Sequence, residues 1–375
     1  MNLLSYVHLR NIYRSTGVGR VARELTERLA ILPGVNLEVL ADPGDHREIV
    51  HKVGEPWTSF RYHFMQHETS RQQELWYLLN RPAAESYWPQ AEVVYCTAES
   101  YVPVRRARLA VCCHDTQHFE PGANKMSLWL LKQRFKWKLL WGRLAAKADM
   151  FHMISHFTAE RAAHFFPSTK SRLRVVPNAA SDSFFNPPTD KGNEVLAQLR
   201  LTGRPYVLVP GGLHHRKNAD LILDAWPHIH HRRPDLTLVV TNHSDRAYLD
   251  RANALTPSLI LAGYLEEEQL VALYNAAQLV WFPSRYEGFG MPVIEAMACG
   301  APVVSSNSSA IPEIAGEAAT LLPPDNMEDH IDVICSLLED DSARKKFSQL
   351  GRARARRYRW ANSARQLAEN FAALL

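Results

Sequence analysis

The 375-residue chain is longer than one hydrophobic core sustains, so two domains of ordinary size are expected. Hydrophobic residues at 46% against 22% charged exclude a disordered chain. A formal charge of only +4 excludes the basic footprint of a nucleic-acid binder, yet suits an anionic small molecule or an acidic membrane surface.

The chain opens on a short apolar run that reaches Arg10 too soon to form a signal-peptide core. No stretch approaches the ~18–20 apolar residues that span a bilayer. Short β-branched runs then alternate with helix-length segments. Strands are expected at Leu3–Leu9, Asn36–Leu40, Glu92–Cys96, Leu109–Cys113 and Met150–Ile154, with helices at Val18–Leu32 and Ser127–Lys147 among them. The stretch Asp42–Asn80 fits neither period, and His63, His67, Trp57 and Trp76 within it are read as loop or acceptor-site elements. Further on, strands are expected at Tyr206–Val209, Leu236–Thr241, Leu259–Leu261, Leu279–Phe282 and Pro302–Ser305. Helices are expected at Asn218–His231, Glu266–Ala276 and Met291–Cys299. Such alternation predicts parallel sheets covered on both faces, hence two doubly wound α/β domains facing each other across a cleft. The Pro187-Pro188-Thr189-Asp190-Lys191-Gly192 break divides them: residues 1–186, a linker over 187–203, and residues 204–359. Five cysteines, an odd number without a C-x-x-C pair, indicate neither a disulfide framework nor a zinc ribbon and point to a reducing cytoplasm.

Chemistry concentrates where strands give way to helices. After the strand ending at Phe282 comes Pro283-Ser284-Arg285-Tyr286-Glu287-Gly288-Phe289-Gly290-Met291-Pro292, then a helix that carries Glu295. Gly288 and Gly290 let backbone approach a ligand closely, and a helix start offers free N–H groups to an anion. Pro292 suits the first turn, where no N–H is needed. Glu287 and Glu295 are acceptors for vicinal sugar hydroxyls. A second turn, Gly211-Gly212-Leu213-His214-His215-Arg216-Lys217-Asn218, places two cations where a diphosphate accumulates charge. Near the start, Gly17 and Gly19 precede a helix without the third glycine of the dinucleotide fingerprint. His114 and Asp115 end another strand. The 17 histidines show no metal-ligand spacing.

Together these segments resemble the retaining glycosyltransferases of family 4, which have the GT-B fold and an E-x7-E signature; the likeness covers nearly all the chain and is weakest at Asp42–Asn80. It implies a hexosyltransferase in which Gly288, Phe289, Gly290, Met291 and Pro292 meet the donor phosphates or sugar. Glu287 would hold sugar hydroxyls, Glu295 the ribose, and Tyr264 and Leu265 the base. Lys217 falls on the family's phosphate-binding lysine, Gly17 and Gly19 on its glycine-rich loop, and His114 on a histidine beside the transferred sugar. Many members carry arginine where this chain has Gly212, which leaves Arg216 as the substitute cation. The likeness also implies that the last helix, residues 360–375, packs back on the first domain, and that no metal or resident cofactor takes part.

The expected partners are a nucleotide-sugar donor, with a leaning to GDP-mannose, and a glycan or lipid-linked acceptor of bacterial polysaccharide or lipopolysaccharide assembly. A GT-B epimerase and a silent sugar-nucleotide-binding subunit are the alternatives. Ser127–Lys147 mixes Trp129, Phe135, Trp137 and Trp141 with lysines and arginines. It reads either as a helix lying on an anionic membrane, at the inner face of the cytoplasmic membrane, or as a helix packed on its sheet. The arginines of 352–359 read as a solvated face.

Overall fold

The computed structural model describes residues 1–14, 16–124 and 127–375. It divides into two compact units. One comprises Met1–Phe119, the segment from helix Leu128–Lys147 to Asn178, and Trp360–Leu375; the other comprises Ala179–Arg359 with residues 120–124.

The first unit holds a seven-stranded sheet of β1 (Asn2–Tyr6), β2 (Asn36–Ala41), β3 (Tyr62–Phe64), β4 (Val93–Cys96), β5 (Arg108–Cys113), β6 (Met150–Met153) and β7 (Leu173–Val175). The order is β3-β2-β1-β4-β5-β6-β7, and every pairing is parallel. Successive residues of β2 bury on opposite faces: Leu40 joins Leu4, Val94 and Leu109, whereas Val39 and Ala41 join Val7 and Ile12. Both faces are therefore dry, which is why these strands are continuous apolar runs.

The second unit holds six parallel strands: β8 (Tyr206–Val209), β9 (Thr237–Thr241), β10 (Leu259–Gly263), β11 (Leu279–Phe282), β12 (Val303–Ser306) and β13 (Thr320–Leu322). Their order, β10-β9-β8-β11-β12-β13, repeats the Rossmann arrangement. In each sheet the strand order reverses at one central pair, β1/β4 and β8/β11. Loops leaving the carboxyl ends of such a pair diverge and open a ligand crevice.

The expected strands are present, and β3, β7 and β13 are added to them; each has only three residues, too short for a period to register. The obscure stretch resolves into helix Pro43–Val53, β3 and helix Thr69–Leu79. Trp57 does sit in a loop, between helix Pro43–Val53 and β3, but is fully buried; Trp76 is a fully buried residue of helix Thr69–Leu79, and His63 bonds Glu38 at 2.5 Å. The 187–203 span is not bare linker. Thr189 Oγ1 accepts the Gly192 N–H at 3.0 Å and starts helix Asp190–Gln198, so the proline pair announces a capped helix. Gly192 lets that helix close on Glu268, whose carbonyl oxygen lies 2.6 Å from where a Cβ would stand.

Of the 352–359 arginines, Arg356 and Arg357 are exposed as a solvated face requires, but Arg352 and Arg354 also bond the fold. Arg352 donates to the carbonyls of Ala298 and Cys299 at 3.3 and 2.5 Å, and Arg354 to Ile314 at 2.9 Å. Orphan carbonyls at helix ends recruit these side chains. Helix Trp360–Ala372 belongs to the first unit, where Ser363 Oγ donates to the Pro177 carbonyl at 2.7 Å and Phe371 is fully buried beside Tyr95. Among the described residues no helix is long and apolar enough to cross a membrane.

Candidate functional site

In the second unit the β8/β11 reversal brings the two polar turns together. The loop after β8 carries Arg216 and Lys217; the loop after β11 carries Glu287. Lys217 Nζ lies 3.3 Å from Glu287 Oε1, and Arg216 Nη1 lies 2.8 Å from the same oxygen. Ser284 Oγ donates to it as well, at 2.7 Å. One carboxylate oxygen thus gathers two cations and a hydroxyl. The loops are stitched through backbone too: Arg285 N–H donates to the Arg216 carbonyl at 2.8 Å, and Arg216 Nη1 to the Tyr286 carbonyl at 2.8 Å.

Burial alone would raise the Glu287 pKa, but Arg216, Lys217 and the Ser284 hydroxyl overcome it and hold the carboxyl at about 2. Burial lowers the Lys217 pKa despite Glu287. Its ammonium sits 4.4 Å from the centre of the Phe282 ring, a poorly hydrated place for a cation. An anionic ligand arriving here meets a cation that water has largely left, which strengthens the attraction.

Gly212 cannot be replaced by a longer residue in this loop. Its φ is +80°, and a Cβ there would lie 1.8 Å from the His243 carbonyl oxygen. The second cation on Glu287 is Arg216, four residues further on. Gly211 is open on one side so that the Lys217 chain can lie across it.

The turn Gly288–Pro292 runs into helix Met291–Cys299 through Gly290, at φ +96°, with Pro292 in the first turn. Gly288, Phe289 and Gly290 are buried and Met291 and Pro292 half-buried; Phe289 packs edge-on against Tyr358. Glu295 is 4% exposed, and Tyr274 donates its hydroxyl to Oε2 at 3.1 Å. The Glu295 charge acts on Lys217. Tyr264 is exposed and Leu265 half-buried, directly after β10.

Sequence inspection missed the serines after β12. Ser306 and Ser308 donate to the Ser284 carbonyl at 2.5 and 3.1 Å, and Glu287 N–H donates to Ser309 Oγ at 2.9 Å. The run Ser305-Ser306-Asn307-Ser308-Ser309 was the available signal. Serine clusters at a strand end satisfy backbone of a neighbouring loop. Tyr274, from a separate helix, gave no local sign.

In the first unit, His114 follows β5. Nε2 approaches the Thr97 carbonyl at 2.9 Å and therefore carries hydrogen, while the backbone N–H donates to Glu99 Oε1 at 2.6 Å. Burial opposes the imidazolium, but Cys112, Glu99 and the Thr97 carbonyl together raise the His114 pKa to about 10. Burial pushes the Glu99 carboxyl up to about 7. Gly17 opens helix Gly17–Ala30 and is exposed. Gly19 has a packing reason: a Cβ there would meet the Asn11 carbonyl oxygen at 1.9 Å, and its N–H is taken by Thr16 Oγ1 at 3.0 Å. Ser15, first residue of that motif, lies outside the described residues. Among the described residues no group of three or more His, Cys, Asp or Glu is placed to hold a metal ion.

Two family profiles match. "Glycosyl transferases group 1" covers residues 193–354 and "Glycosyltransferase Family 4" covers residues 15–184. The O-antigen chain mannosyltransferase B of Escherichia coli is 26% identical over 94% of this chain and 95% of its own length. Sucrose-phosphate synthase from Thermosynechococcus elongatus superposes with a TM-score of 0.75 at 19% identity, over 100% of this chain and 99% of that one. Anabaena HepE in complex with UDP-glucose gives 0.75 at 16% identity, over the whole of both chains.

Proposed function

The chain belongs to the family 4 glycosyltransferases of GT-B fold, and from that premise we propose that it transfers mannose from GDP-mannose to a hydroxyl of a growing bacterial glycan, with retention of anomeric configuration. The glycosyltransferase class rests on the family; donor, acceptor and stereochemistry are the further step. One observation supports a diphosphate-bearing donor: Arg216 and Lys217 converge on Glu287 at the β8/β11 reversal, beside a glycine turn that opens a helix.

On this reading the diphosphate replaces Glu287 as the main partner of Lys217 and Arg216, which offset the charge that grows as the anomeric C–O bond breaks. The acceptor hydroxyl forms the new bond on the face the diphosphate leaves, and its proton passes to the departing phosphate oxygen. Glu287 and the Gly288–Pro292 turn hold the hexose, Glu295 the ribose, and Tyr264 and Leu265 lie along the base. His114 is the first unit's candidate for sugar recognition. Two fixed cations perform the task that a divalent metal performs elsewhere, so chelator should leave the rate unchanged. A lipid-linked acceptor would place the enzyme at the inner face of the cytoplasmic membrane.

The test has two stages. A thermal-shift panel of GDP-, UDP-, ADP- and dTDP-sugars selects the donor by the stabilisation that native-state binding confers. Anomeric couplings in the NMR spectrum of the product then report stereochemistry. GDP-mannose giving an α-linked product supports the proposal; a β-linked product overturns retention, and selection of another nucleotide overturns the donor.

A further inference from the structure

Helix Leu128–Lys147 is apolar on two opposite faces, and only one of them is used by the fold. Leu130, Trp141 and Leu144 are buried, with Trp137 and Leu140 packed beside them on the sheet. At a helical period of about 3.6 residues, Leu128, Leu131, Phe135 and Leu139 fall on the opposite side. There they are 86%, 49%, 64% and 43% exposed, and Trp129 at the same end is 64% exposed. A helix packed on its sheet with only basic residues outward would not show this stripe.

The charges around the stripe share one sign. Lys132 and Lys136 flank it on one side and Lys138 on the other, all exposed, and the helix contains no acidic residue. Arg134 and Arg143 are committed inward, to the His118 carbonyl at 2.6 Å and Asn80 Oδ1 at 3.1 Å. That last bond ties the helix to the end of helix Thr69–Leu79, where Leu78 and Leu79 are 74% and 60% exposed. The apolar surface therefore continues onto a second element, joined by a hollow of about 570 Å³ that Tyr77, Phe135 and Leu139 line.

We propose that this face seats the protein on an anionic phospholipid bilayer, with Trp129, Phe135, Leu131 and Leu139 entering the headgroup boundary and Lys132, Lys136 and Lys138 meeting lipid phosphates. Charge decides between occupants. A second copy docked through a two-fold axis would press this basic stripe onto itself, lysine against lysine, across a surface that offers no acid on this helix. An anionic interface supplies the missing charge and takes up the aliphatic and aromatic side chains between the lysines. The proposal rests on the membrane placement proposed above, but its test requires neither donor nor acceptor.

Flotation of the full-length protein with vesicles of phosphatidylcholine, and with equal parts phosphatidylcholine and phosphatidylglycerol, reads the partition directly. Binding to the anionic vesicles that weakens with salt is expected, with little binding to the neutral ones. The pair Phe135→Ser and Leu139→Ser should lower the partition at least about tenfold. Lys136→Gln should lower it about fivefold on anionic vesicles only. Unchanged circular dichroism and an unchanged melting temperature show that the variants remain folded. Failure of the wild-type protein to float, equal flotation of the variants, or a dimer in solution that Phe135→Ser dissolves would each overturn the proposal. Transferase activity would survive any of those results, so the two proposals fail separately.

Discussion

The two sheets follow one strand order but finish their loops with different chemistry. In the second unit the loops after β8, β11 and β12 form a charged knot: two cations and a serine on one Glu287 oxygen, and serines clamping the backbone behind it. In the first unit the corresponding position after β5 presents His114, held by a backbone carbonyl and close to Glu99. Fixed full charges suit a ligand that stays anionic throughout the physiological pH range, such as a diphosphate. His114 offers a single ring charge, held by the Thr97 carbonyl and favoured by Cys112 and Glu99, rather than two cations on one carboxylate oxygen. The same scaffold thus carries different chemistry at its strand ends in the two units.

The contrast breaks most readily at Lys217. Lys217→Ala should reduce turnover by about 10²–10³, equivalent to about 2.7–4 kcal/mol of barrier, while melting remains cooperative. Near-normal steady-state transfer would dismantle the charged knot as a functional unit.

Glu287 sharpens it through pH. The folded state holds this carboxyl near 2 against an ordinary 4.5, so its stabilisation is present above about 4.5 and drains away as pH falls towards 2. That shift corresponds to about 3 kcal/mol, and Glu287→Gln should flatten the acid limb of urea-unfolding stability by about that amount. An unaltered acid limb would show that the cations do not depend on this carboxylate.

Gly212→Ala tests the crowding of its loop by His243. With φ at +80° and a carbonyl oxygen 1.8 Å from the added carbon, the variant should lose about 1–3 kcal/mol, and Gly212→Arg should not rescue Arg216→Ala. Rescue would show that the loop opens more freely than its packing indicates. The smallest effect belongs to the first unit: His114→Ala should cost roughly tenfold in kcat/KM, about the worth of one hydrogen bond, and leave nucleoside diphosphate affinity unchanged. A matching loss of diphosphate affinity would erase the division between the units.

The difference between the loops also explains what sequence could show. Glu287, Gly290 and Lys217 stand out in the sequence because they fall at a fixed spacing where strands turn into helices, and the structure brings Lys217 and Glu287 together. Arg216 was legible only as a second cation of its turn; the His243 carbonyl that crowds Gly212 lies on another strand's loop. The Ser306–Ser309 clamp and Tyr274 act from separate elements on Ser284 and Glu295, and no local pattern links them. Trp76 looked like a loop aromatic because β3, just before its helix, is too short to declare a period, whereas Trp57 does lie in a loop yet is buried. The Leu128–Lys147 helix was recognised as basic and aromatic, yet which aromatics faced outward depended on which turn met the sheet.

The central claim, that Arg216, Lys217 and Glu287 form a diphosphate site in the second unit, is tested most directly by calorimetric titration. The titrant is the free nucleoside diphosphate of whichever donor stabilises the wild-type protein. Lys217→Gln should bind it at least about tenfold more weakly, the cost of losing one charge-assisted contact, whereas His114→Ala should bind it as the wild type does. Equal affinity in Lys217→Gln and the wild type would contradict the assignment.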